Sequence, residues 1–146
     1  MNRQLPTCGQ LERDLSQKIY KLYSQELEHS PQKITCTLFN NRLAIVIEEA
    51  ITAVEKTLID EEHEYKVAKK INSAINEAIK SKLKDILREV LAVEVDDILL
   101  DSSLESKRTG MIVTLTQPPL VRYRKSTLKI KEKTTEKTKI DLANLE

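Results

Sequence analysis

Lys107-Arg108-Thr109-Gly110 puts two cations beside a small residue, a grouping that can receive a phosphate, a carboxylate or bicarbonate through charge-assisted hydrogen bonds. Gly110 equally suits a turn that needs positive φ, and that plainer reading carries more weight. Asp96, Asp97, Asp101 and Glu105 offer oxygen ligands to a hard cation but lack the spacing of a calcium loop. His63 stands among Glu61, Glu62 and Glu64 with Val67, not a second histidine, four residues on, so a solvated charged face is preferred to a metal site. His29 falls where a helix should end, and an imidazole suits the dipole there. Cys8 and Cys36 form an unpatterned pair, read as reduced thiols, and no base adjoins them in sequence. With only two glycines, Gly9 and Gly110, no Gly-rich phosphate loop can be built. These residues assign no catalytic group, no metal and no cofactor.

The elements that must position them follow from hydrophobic period. Thr7-Cys8-Gly9-Gln10 fits a capping box, after which Leu11, Leu15, Ile19, Leu22 and Leu27 mark one helical stripe that Ser30-Pro31 ends. From Lys33 to Phe39 the period becomes two, with Ile34, Cys36 and Leu38 on one face. Asn40-Asn41 then turns the chain into Leu43–Ile47, which is apolar on both faces and so reads as the more buried strand of a hairpin. Thr52 to Ile59 suggests a short helix or turn. From Tyr65 to Val90 apolar residues recur every three or four positions, predicting a helix of about 39 Å. That exceeds the width of a four-stranded sheet, so part of the stripe calls for a second partner, and Ile71, Ile75, Ile79, Leu83 and Ile86 are the expected dimer interface. Val93 to Ser102 reads as a strand with a bulge or an entry turn, Met111 to Leu115 as its hairpin mate, and Ser102 to Gly110 as the loop between them. Pro118-Pro119 stops the pattern.

The fold class predicted is therefore α+β: helix, β-hairpin, long helix, β-hairpin, giving a four-stranded, mainly antiparallel sheet with helices on one face. The 146 residues divide into a leader over 1–9, one domain over 10–117 and a basic tail over 118–146 that is expected to be flexible. The near-neutral total hides a charge split. Residues 121–146 carry eight bases and four acids, net +4, whereas residues 1–120 carry sixteen bases and nineteen acids, net −3. Arg122, Tyr123, Arg124, Leu128 and Ile130 are the tail residues that can meet a protein partner. Nucleic-acid binding is disfavoured, because acids dilute the field and Tyr123 is the only aromatic interleaved with the bases. The longest apolar run, Leu43 to Ile47, is far short of a membrane span, and no apolar stretch follows the N-terminus as a secretory signal requires. A cytoplasmic location is expected.

Thr52-Ala53-Val54-Glu55-Lys56-Thr57-Leu58 resembles the Thr-Pro-Ala-Glu-Lys-x-Leu segment of the MpsC-like family. Asp101-Ser102 and Thr109-Gly110-Met111-Ile112-Val113-Thr114-Leu115 resemble that family's closing Asp-x-Ser, Thr-Gly-Glu and Val-x-x-Phe-x-Leu run, and Gln10-Leu11-Glu12 its opening helix. Ala53 stands for the usual proline, Met111 for the glutamate and Thr114 for the aromatic. The resemblance spans roughly residues 10–117. It implies a bacterial component of a sodium-translocating, membrane-potential-generating system whose transport partners handle inorganic carbon, and it implies no reaction. The expected function is a non-enzymatic, self-associating accessory protein, a homodimer whose further partner belongs to a membrane-associated complex. The alternatives are a module that senses a small anion through Lys107, Arg108 and Gly110, and nucleic-acid binding through the tail.

Overall fold

The period-two segments pair as their faces require. In the computed structural model, which describes residues 4–61 and 64–122, β1 (Lys33–Phe39) and β2 (Arg42–Glu48) form a hairpin around Asn40-Asn41, with Asn40 at φ 57°. β3 (Val95–Ser103) and β4 (Arg108–Leu115) form the second hairpin, and β2 pairs with β4, so the antiparallel sheet runs β1-β2-β4-β3. The expected bulge lies at Asp96, where the register shifts between Val95 and Asp97. Against expectation, Gly110 does not supply the positive φ of this second turn. β4 begins at Arg108, the turn shrinks to residues 104–107, and Lys107 takes the left-handed conformation at φ 60°.

Two helices cover one face of the sheet. α1 (Cys8–Leu27) buries Leu11, Leu15, Ile19, Leu22 and Tyr23, and reaches β1 through Ser16 at Cys36 and Glu12 at the Leu38 amide. α3 (Tyr65–Leu91) packs on β3 and runs antiparallel to α1, as the ion pairs Lys18–Glu89 and Lys82–Glu26 show. Between helices and sheet lie Leu43, Ile45, Ile47, Ile98, Met111, Val113 and Leu115, all buried. The short segment after β2 is a true helix, α2 (Ala53–Asp60), opened by a capping box in which Thr52 accepts from the Glu55 amide and Glu55 accepts from the Thr52 amide.

The long helix departs from expectation in phase. Its buried line is Ala68, Asn72, Asn76, Ile79, Leu83, Leu87 and Leu91. Two of the five residues expected at a dimer interface, Ile79 and Leu83, are enclosed by their own chain, while Ile71, Ile75 and Ile86 are half-buried. Near the start of α3, Leu58 and Ile59 of α2 and Tyr65 gather around Ile51, Ala68 and Leu104, so α2 is a further partner for that end of the helix. No helix among the described residues is long and apolar enough to cross a membrane.

Residues 9–119 make up one compact unit. A second unit includes residues 4–8 and 120–122, and within it Arg122 donates its amide to the Pro6 carbonyl at 2.8 Å and Nη1 to Gln4 Oε1 at 2.7 Å. The expected tail residues Tyr123, Arg124, Leu128 and Ile130, and His63, lie outside the described residues.

Candidate functional site

Two features stand out, one beneath the sheet and one on its open side. Beneath it, polar side chains from five elements join in a single hydrogen-bonded network. Glu55 on α2 is buried at 1% exposure, and its carboxyl accepts from Thr52 N at 3.1 Å, from Thr52 Oγ1 at 2.8 Å and from Asn72 Nδ2 at 2.8 Å. Asn76, one turn along α3, donates Nδ2 to Asn72 Oδ1 at 3.0 Å and to Ser102 Oγ of β3 at 2.9 Å. Ser102 Oγ meets Thr109 Oγ1 of β4 at 2.7 Å, and Thr109 bonds the phenol of Tyr23 on α1. Every buried polar side-chain atom among the described residues has a partner, so the network is closed. It ties both helical layers to the sheet in one register.

Burial holds the Tyr23 phenol well above its ordinary range, the Glu55 carboxyl pushes the same way, and the Thr109 hydrogen bond opposes both. The folded protein therefore keeps this proton after the unfolded chain has released it. Stability carried by Tyr23 is complete below about pH 10 and falls as the pH rises above that value. Urea unfolding at about pH 8 and about pH 11 should show a steeper alkaline loss for the wild type than for Tyr23→Phe, which has no phenolic proton to lose.

The opposite face of the sheet carries no helix. Four rows cross it in register: Phe39–Arg42–Thr114–Asp97, Thr37–Ala44–Ile112–Leu99, Thr35–Val46–Gly110–Asp101, and Lys33–Glu48–Arg108–Ser103, the last joined at its middle by the Arg108–Glu48 ion pair at 2.6 Å. Phe39, Val46, Ile112 and Leu99 are exposed there, Leu99 at 64%. A shallow trough of about 440 Å³ runs along Ala44, Val46, Leu99, Gly110 and Ile112. Together these residues make an apolar strip along the open face, with the Arg108–Glu48 ion pair at one end.

The residues singled out from sequence scatter. Arg108 gives its guanidinium to Glu48, Lys107 sits in the turn with its carbonyl bonded to Ala50 N, and Gly110 lies on the open face opposite Asp101. An anion at Arg108 would have to displace Glu48. Asp97 and Asp101 accept from the amides of Ile98 and Ser102, and Glu105 accepts from the Tyr65 hydroxyl at 2.6 Å, an arrangement that lowers the Glu105 pKa and raises that of Tyr65. Among the described residues no group of three or more histidine, cysteine or carboxylate side chains is placed to hold a metal. Burial pushes the Cys36 thiol up, which makes it a poor nucleophile. His29 is not a plain surface residue: its Nε2 lies 2.6 Å from the Glu49 carbonyl.

Sequence reasoning passed over Tyr23, Asn72 and Asn76. The signal was present in spacing, since Tyr23 continues the i+4 line of Leu11, Leu15 and Ile19, and the two asparagines stand in line between Ala68 and Ile79. The network also unites the two separated segments that carried the family likeness, Thr52 and Glu55 from one, Ser102 and Thr109 from the other. The sequence model of one family, described as "Na+-translocating membrane potential-generating system (MpsC)", matches residues 7–117. No curated protein and no solved structure matches the chain.

Proposed function

The chain belongs to the MpsC family, and from that premise we propose that it is a non-enzymatic, self-associating accessory protein that works in the cytoplasm on a membrane ion or inorganic-carbon transport system. The observation that carries this reading is the open sheet face. Among the described residues the buried polar side chains all have partners within the protein, while Phe39, Val46, Leu99 and Ile112 face water. Exposed apolar side chains on one flat face suit protein contact, where their burial drives association. In this reading the protein acts by contact, and self-association and docking are its working steps.

Leu99 offers the test, because its side chain is mostly in solvent and a charge there leaves the core intact. In bacterial cells whose own copy is replaced by Leu99→Arg, the sodium-dependent membrane potential, followed with a voltage-sensitive dye, should fall to the level of a deletion strain, with the variant's abundance and circular dichroism unchanged. A full potential in that strain would overturn the reading.

A further inference from the structure

The centre of the open face is a chequerboard of side-chain size. On the two inner strands, Ala44 stands beside Ile112, and in the next row Val46 stands beside Gly110. Large and small residues thus occupy opposite diagonals. A two-fold axis lying against the face, parallel to the strands and midway between β2 and β4, exchanges the two columns and keeps the rows. It sets Val46 of each copy on Gly110 of the other, and Ile112 on Ala44. Gly110 leaves that point of the face open, since a Cβ there would meet nothing within 4 Å. The same operation sets Glu48 opposite Arg108 twice over, so charge as well as shape is self-complementary. We propose that a second copy of this chain packs face to face on the open sheet, Val46 seated over Gly110, as an isologous dimer.

The edges of the sheet favour this face over lateral pairing. The Leu38 amide on β1 is taken by Glu12, and the Ile98 and Ser102 amides on β3 are taken by Asp97 and Asp101. Strand spacing and rise give the face about 19 Å by about 23 Å, so two faces together bury about 900 Å², just under the lower bound for a stable association and in the range of a weak one. A reversible dimer is expected.

The inference rests on the self-association reading, and analytical ultracentrifugation of the full chain separates the two. The wild type should dimerise reversibly. Gly110→Val should weaken the dimer about tenfold by filling the socket, with the monomer's circular dichroism unchanged. The exchange Val46→Gly with Gly110→Val moves knob and socket together and should restore the wild-type dissociation constant. A wild type that stays monomeric to about 100 µM overturns both readings. A dimer that Gly110→Val leaves unchanged overturns this face alone, and a double variant as weak as the single one overturns the seating of Val46 on Gly110.

Discussion

Replacing Glu55 by alanine should cost about 3 kcal/mol of unfolding free energy and lower Tm by about 12 °C, far more than a residue of its type usually costs on a short helix. Three donors converge on its carboxyl: the Thr52 amide, the Thr52 hydroxyl and the Asn72 side-chain amide. Thr52 is half-buried and can regain water, so losing its two bonds amounts to losing a helix cap, about 1 kcal/mol. Asn72 has no such exit. It is buried, its Oδ1 already accepts from Asn76, and an amide stripped of its acceptor inside a protein costs about 1 to 3 kcal/mol. Glu55→Gln is the informative companion. Turning the Asn72 amide over to suit a glutamine donor would aim its nitrogen at the Asn76 nitrogen, so the direction of donation is fixed from Asn76 through Asn72 to Glu55. The glutamine variant should therefore recover only part of the loss. A double-mutant cycle with Asn72→Ala, read by urea denaturation, should give a coupling of about 1 kcal/mol. A Glu55→Ala loss under about 1 kcal/mol would show that the network is slack.

Local period made the strands and helices legible: Lys33–Phe39 has the limits its alternation predicts, the Asp96 bulge falls inside the irregular 93–102 segment, and the long helix ends at Leu91, one residue beyond the expected Val90. What could not be read depends on contacts between distant segments. Glu55 on a charged short helix looks solvated until α3 lies over it, and asparagines on an apolar stripe look like interruptions until Ser102 and Thr109 face them. Taking Ile71 and Ile75 as the stripe shifts its phase by one residue from the buried line through Asn72 and Asn76. The positive φ went to the glycine because glycine adopts it at least cost, but the strands extend far enough to leave Lys107 at the corner instead. β2 is the most telling. Its apolar residues on both faces mark it as the more buried strand of its hairpin, and it lies inside the sheet with Leu43, Ile45 and Ile47 buried while β1 takes the edge. On the face without helices Ala44 is half-buried and Val46 exposed, a distinction that apolar residue type alone does not record.

Leu83→Ala should destabilise the protein by about 3 kcal/mol, and by the same amount at every protein concentration. Leu83 has 0% exposure and stands between Ile79 and Leu87, equally enclosed, above the sheet. Removing its branched end leaves a void that close-packed neighbours fill only in part. Ile75→Ala, two turns earlier on a half-buried line, removes a similar volume where water can enter and should cost under about 1 kcal/mol. An α3 interface would give another pattern. The Ile75→Ala loss relative to wild type would then grow with protein concentration, because mass action couples association to stability. Measuring the midpoints of both variants at two concentrations separates the cases. A concentration-independent loss for Leu83 beside a small one for Ile75 assigns the ridge of α3 to the interior of a single copy.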